Sequence, residues 1–298
     1  MQFFLEVLIG GLLAGVMYTL VALGYVMIYK ASGVFNFAQG AMVFMAALTT
    51  VGMSEKLGIS PWLAAPIALL VMVLVGLATE KFVLRKLVAQ HEITLFMATI
   101  GLTFFLEGLA QMVWGSNVRK LELGIDDLPI QWLMDKTGIS VSQFDLAAAG
   151  ICAVLVAALA IFFNKTKIGR ALRAVADDHQ AALAVGIPLQ YIWGIVWAVA
   201  GFIALVAGLL WGSRNGVQFA LTFVALKALP VLILGGFTSV PGAILGGLII
   251  GASEKLAEVY IGPMVGGGIE NWFPYVLALL FLLVRPEGLF GEKIIRRV

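Results

Sequence analysis

NKTKIGRALRAVADDHQAALAVGIP, residues Asn164–Pro188, is a charged, helix-prone island set between two long apolar runs, 145–163 and 190–212. Each run is long enough to cross roughly 30 Å of hydrocarbon. A chain that places a polar helix between two such runs threads a membrane and leaves the helix at its surface. Membrane proteins use polar residues sparingly, so an island of this length is there to touch something. Within it, Ala171, Leu172, Val175, Ala182, Leu183 and Val185 supply the apolar side of a helix over Ile168–Gly186. Arg170, Arg173, Asp177, Asp178, His179 and Gln180 supply the polar side, and Gly186 and Pro188 stop the helix. Two readings stay open at this point. The helix lies on lipid headgroups with its arginines on phosphates, or it docks in a groove of a soluble partner on the cytoplasmic side.

Working outward, the 298 residues are 61% hydrophobic and 12% charged, where soluble domains carry about a quarter charged residues. Candidate spans fall at 7–29, 37–54, 61–80, 93–114, 145–163, 190–212, 219–235, 238–259 and 272–284. The expectation is one all-α polytopic membrane domain over 1–298, of eight or nine passages. The run Val7–Tyr29 is too long for a signal-peptide core and lacks a basic flank, so it is expected to remain as the first span. Two segments are suspect as full spans. Residues 219–235 are short and hold Lys227, and 272–284 are short and follow the glycine-rich stretch Gly262–Gly268. Either suits a partial or re-entrant helix, which is tolerated where its backbone is buried in protein or lines a wet cavity.

Basic residues set the orientation. Lys81, Arg85 and Lys86 follow the third span. Lys165, Lys167, Arg170 and Arg173 follow the fifth, and Arg285, Lys293, Arg296 and Arg297 form the tail. Segment 115–144 instead balances Arg119, Lys120 and Lys136 against Glu122, Asp126, Asp127 and Asp135. This predicts cytoplasmic loops at the basic sites, including the loop 164–189, and an external loop at 115–144. The N-terminus then lies outside and the C-terminus inside.

The stretch Gly169–Ile187 resembles the cytoplasmic loop of branched-chain amino acid permeases of ABC importers, LivH type. That pattern is close to G-x-A-x-R-A-x-A-D-[DN]-x-x-A-A-x-x-x-G-[IV], matched at Gly169, Ala171, Arg173, Ala174, Ala176, Asp177, Asp178, Ala181, Ala182, Gly186 and Ile187. Three further stretches are similar to that family: Tyr18–Gly24 and Ile28–Tyr29 with Asn36–Gly40, Val231–Gly247, and Arg285–Gly291. Gln39 departs from it, since the family shows N-F-A-H-G there. The resemblance implies a permease subunit in a bacterial inner membrane, paired with a paralogue of the LivM type. Two ATP-binding subunits, which hold the ATP and Mg, would drive it, and a periplasmic binding protein would supply it. The island becomes the coupling element, with Gly169, Arg170, Arg173, Asp177, Asp178 and Gly186 as its residues.

No motif for nucleotide binding or hydrolysis occurs in the chain, so no cofactor is expected in it. His91 and His179 stand apart, and the single Cys152 lies in an apolar run. Ionisable residues inside spans are costly and default to functional candidates. Glu107 and Lys227 qualify, either lining the path or pairing with each other. Asn36, Gln39 and Gly40 sit in the broken turn 32–41, and Gly242 in a similar turn at 236–243. Interrupted segments in both halves can mark a solute site. For Asn36 and Gln39 the alternative is that they satisfy the broken backbone itself. Glu80 and Lys81 are expected at a membrane edge, and Glu254, Lys255 and Glu258 near the outer end of the eighth span, with Lys255 and Glu258 either as a local pair or in contact with the binding protein. The many glycines within spans read as tight helix packing. Transported solutes consistent with this reading are branched-chain amino acids or, alternatively, urea, short amides or aromatic carboxylates. An ion-coupled carrier or channel is the competing class. Apart from protein partners, membrane lipid is expected in contact, and nucleic acid is not.

Overall fold

The computed structural model describes residues 2–87, 90–177 and 179–291. Asp178 and the tail residues Lys293, Arg296 and Arg297 lie outside the described residues. Among the described residues the regular elements are helical, with only the isolated bridges Arg119–Val217 and Pro129–Ser142 besides. In chain order the α-helices are α1 (Gln2–Ser32), α2 (Gln39–Leu57), α3 (Pro61–Phe82), α4 (Glu92–Trp114), α5 (Gln131–Thr137), α6 (Gln143–Lys165) and α7 (Lys167–Asp177). They continue with α8 (His179–Ala184), α9 (Leu189–Asn215), α10 (Val224–Lys227), α11 (Leu229–Gly235), α12 (Val240–Tyr260), α13 (Gly262–Val265) and α14 (Phe273–Val284).

Among the described residues, six helices are long and apolar enough to cross a membrane: α1, α3 with its extension to Lys86, α4, α6, α9 and α12. Their outward faces carry large apolar side chains, among them Leu70 and Leu74 on α3, Phe104 and Phe105 on α4, and Val154 and Ile161 on α6. Such a surface is an aggregation hazard in water and a match for lipid. The chain is an all-α, multi-pass membrane protein. Helix α2 differs from the six because protein, not lipid, surrounds it: residues Gln39–Gly52 are all buried. It can therefore carry Thr49 and Thr50 on buried positions.

The two suspect passages are helical but incomplete. Residues 219–235 break into a 3₁₀ turn (Phe219–Phe223), α10 and α11, with Pro230 near the start of α11. Proline lacks the N–H that would continue the helix from the preceding turn. Helix α14 has 12 residues, about 18 Å at the usual rise per residue, short of a full crossing. The island is helical over α7 and over α8, and Asp178 between them lies outside the described residues.

The chain packs as two compact units, 1–22 with 124–154 and 225–298, and 23–123 with 155–224. In the first, α12 packs against the N-terminal part of α1, α11, α13 and α14. The α1–α12 contact is made by glycines: a Cβ on Gly11 would sit 2.7 Å from the Gly251 carbonyl oxygen, and one on Gly15 would collide with the Gly247 carbonyl. Small residues let two backbones approach this closely in a membrane. In the second unit, α2 packs against α3, α4, α9 and the turn Phe219–Phe223. Each unit holds one of the broken turns. Gly33 (φ 68°) lies in the break before α2, and Gly236 (φ 100°) in the break before α12.

Candidate functional site

The island is built as a joint. Thr166 caps α7, its Oγ1 accepting from the Gly169 N–H at 2.9 Å while its hydroxyl donates to the Phe162 carbonyl at 2.6 Å. Gly169 is buried against the end of α6, where any Cβ would strike the Phe162 and Phe163 carbonyls. One turn on, Arg173 Nη1 donates to the Phe163 carbonyl at 2.7 Å and to Asn164 Oδ1 at 3.0 Å. These carbonyls belong to the last turn of α6, where backbone donors run out; only that of Phe162 also takes a backbone N–H, from Thr166 at 3.3 Å. A cation there also complements the negative end of the helix dipole. Leu172 and Val175 are buried, 1% and 0% exposed. The Arg173 guanidinium is turned back onto the end of α6.

The surface that α7, α8 and the residue after them offer includes the exposed Lys167, Arg170, Asp177 and Gln180 and the exposed apolar Leu183 and Val185. Gly186 ends α8 as expected. Its φ is +84°, its N–H donates to the Leu183 carbonyl at 3.0 Å, and the Ile187 N–H donates to the Ala182 carbonyl at 2.9 Å. These paired bonds form the left-handed stop that favours glycine. Asp178 lies outside the described residues.

The path candidates separate into two groups. In the second unit, Asn36 and Gln39 are fully buried at 0% exposure. Asn36 Oδ1 accepts from the Ala38 N–H at 3.1 Å, and its Nδ2 donates to Gln39 Oε1 at 3.3 Å. Thr99 on α4 donates to the Phe35 carbonyl and accepts from the Phe37 N–H, both at 3.2 Å. The broken backbone is thus satisfied by side chains, as membrane depth requires. The Gln39 amide packs against Gly24, where a Cβ would leave it no room. Gly40 is buried beside it at the start of α2. Glu107 on α4 is buried too, in hydrogen-bonding contact with Thr222.

In the first unit, Lys227 does not take Glu107 as partner. Its Nζ donates to Glu254 Oε1 at 3.4 Å, and the Tyr18 hydroxyl donates to the same oxygen at 3.0 Å. Glu254 is 1% exposed. Among the described residues Lys255 and Glu258 make no direct ion pair. Lys255 pairs with Glu270 at 3.3 Å, while Glu258 accepts from the N–H groups of Gly268 and Glu270 at 3.0 and 2.9 Å. Gly242 packs on the backbone of Gly235, holding α12 against α11, and its N–H is capped by Ser239 Oγ at 3.0 Å. Among the described residues no cluster of His, Cys, Asp or Glu can hold a metal ion.

Two buried carboxylates escaped the sequence. Glu254 lies well inside an apolar glycine-rich helix, a visible signal. Glu80 is 3% exposed and held by Arg85 through two bonds, Nε to Oε1 at 3.0 Å and Nη2 to Oε2 at 2.7 Å. Its only signal is an opposite charge five residues on, at a span end where basic residues are ordinary.

The model of the family described as the branched-chain amino acid transport system / permease component matches residues 7–285. The chain is 26% identical to the high-affinity branched-chain amino acid transport system permease protein LivH of Salmonella typhimurium, over 99% of this chain and 98% of that protein. It is 27% identical to the corresponding permease protein BraD of Pseudomonas aeruginosa, again over 99% and 98%. The probable LivH permease of Methanocaldococcus jannaschii is 27% identical over 96% and 92%. With its multi-pass helices and a matched region running from the first span to the last, the chain belongs to the family of branched-chain amino acid transport system permease components.

Proposed function

We propose that this protein is a permease subunit of an ABC importer that moves branched-chain, hydrophobic amino acids from a periplasmic binding protein to the cytoplasm. A second permease, a paralogue of the LivM type, completes the membrane part, and two ATP-binding subunits supply the work. The family match over residues 7–285 supports this reading, and the joint at residues 162–187 is the observation that carries its mechanism. An ATPase outside the bilayer moves a membrane helix only through a stiff contact. Gly169, Thr166 and Arg173 tie α7 to the end of α6, so force on the exposed Arg170, Asp177, Leu183 and Val185 passes into the span. The basic loops put this surface in the cytoplasm, the N-terminus outside and the C-terminus inside, in an inner membrane.

The test is charge reversal. Asp177→Arg combined with Asp178→Arg should leave the protein in the membrane and abolish ATP-dependent leucine uptake. Normal uptake in that variant removes the coupling assignment.

A further inference from the structure

We infer that Lys227 is the contact for the carboxylate of the transported solute, and that Glu254 holds its ammonium ready between solutes. The inference rests on the amino-acid reading above and adds a residue, a chemistry and a holding group to it.

Lys227 ends α10, in the broken passage between α10 and α11, where the chain does not form one continuous helix. A charged side chain in such a segment is expensive at membrane depth and is retained where it lines a pathway. The pair it forms is lopsided. The Lys227 side chain keeps 28% of its surface open, while that of Glu254 keeps 2%. One half of the pair faces an accessible side and the other is buried behind it.

The bonding is lopsided as well. Lys227 and Tyr18 both donate to Glu254 Oε1, and Oε2 has no hydrogen-bond partner among the described residues. The Lys227 contact is 3.4 Å, long for an ammonium on a carboxylate, where about 2.7–2.9 Å is usual. The Glu80–Arg85 pair shows how the same chain builds an ion pair for structure: both carboxylate oxygens are used, at 2.7 and 3.0 Å. A buried carboxylate kept only to hold α12 would be expected to have both oxygens satisfied.

Lys227 is therefore a loosely held, partly exposed cation beside a helix break. The carboxylate of an amino acid is the group it fits, since it can take up ammonium donors that Glu254 holds at long range. Glu254 and Tyr18 are positioning residues. They keep the ammonium from folding away into the broken backbone and recover it when the solute leaves.

The test uses the whole importer, this chain with its companion subunits in proteoliposomes, and L-leucine as probe. The double variant Lys227→Met/Glu254→Gln removes both charges together, so neither is orphaned. It should reach the membrane at wild-type abundance and take up leucine about tenfold more slowly or worse, as for the loss of one charge-assisted contact. Wild-type uptake in the double variant overturns the inference and makes the pair purely structural. A wild-type importer that moves no leucine overturns the amino-acid reading instead. A second measurement is independent of the double variant: modification of the native Lys227 amine in the wild-type importer by a small water-borne amine reagent, read by peptide mass spectrometry. Leucine, under ATP turnover, should slow labelling at position 227. Labelling that leucine leaves unchanged, or a position the reagent never reaches, overturns the inference.

Discussion

At the scale of single residues, the molecule uses charge in two ways. Glu80 is nearly sealed from solvent and takes both arms of the Arg85 guanidinium, whose side chain remains 39% exposed. Removing one member of a buried pair leaves the other uncompensated, at a cost that reaches 3–5 kcal/mol when both are enclosed. With Arg85 partly solvated the expected loss is smaller. Arg85→Ala should lower stability by about 2 kcal/mol, read as thermal unfolding in detergent. Glu80→Gln with Arg85→Met should restore most of that loss, because no orphaned charge remains. A smaller effect belongs to Ser239, which caps α12 through the Gly242 N–H. Ser239→Ala should cost about 1 kcal/mol in the same assay.

Between residues and the whole molecule lie the helices, and their contacts depend on missing side chains. At α1–α12 a methyl group on Gly15 or Gly247 has nowhere to go. Gly247→Val should reduce the amount of folded protein in the membrane sharply, since overpacking of 1–3 kcal/mol or more is a large share of total stability. Gly101→Ala on α4 is the control: nothing lies within 4 Å of a Cβ there, and membrane abundance should be unchanged. The joint behaves differently. Gly169→Val should displace α7 from the end of α6 while the spans stay in place. The measurement is uptake against abundance: transport falls and membrane content does not. Equal loss of both would make Gly169 a folding residue only.

For the molecule as a whole, the proposed permease role predicts dependence on partners. Vesicles holding only this chain should not accumulate leucine, with or without ATP or an ion gradient, whereas the assembled importer should do so on addition of ATP. Accumulation driven by an ion gradient in the chain alone would favour a self-sufficient carrier. That reading needs a buried acidic group in a span. Glu107 and Glu254 are both such groups, so this experiment separates the classes where inspection of carboxylates does not. Labelling from outside intact cells checks the orientation. A tag at the exposed Val185 should be protected, and one in the external loop at the exposed Trp132 should react.

The apolar helices, the incompleteness of 219–235 and 272–284, the break before α2, the stop at Gly186 and the kinship with a permease family were legible along the chain. Hydrophobic length, proline and positive-φ glycine act locally, and a family pattern is carried by the residues themselves. The partners of Lys227, Arg173, Glu254 and Lys255 were not legible. Tyr18 lies 236 positions from Glu254, and the choice between a neighbour five residues away and one across the unit depends on which helix faces meet. In a membrane nearly every face is apolar, so the usual polar-out, apolar-in signal that points a helix inward is weak. Glycine contacts and a few buried hydrogen bonds set the rotation of each span instead, and only the packed structure shows where they fall.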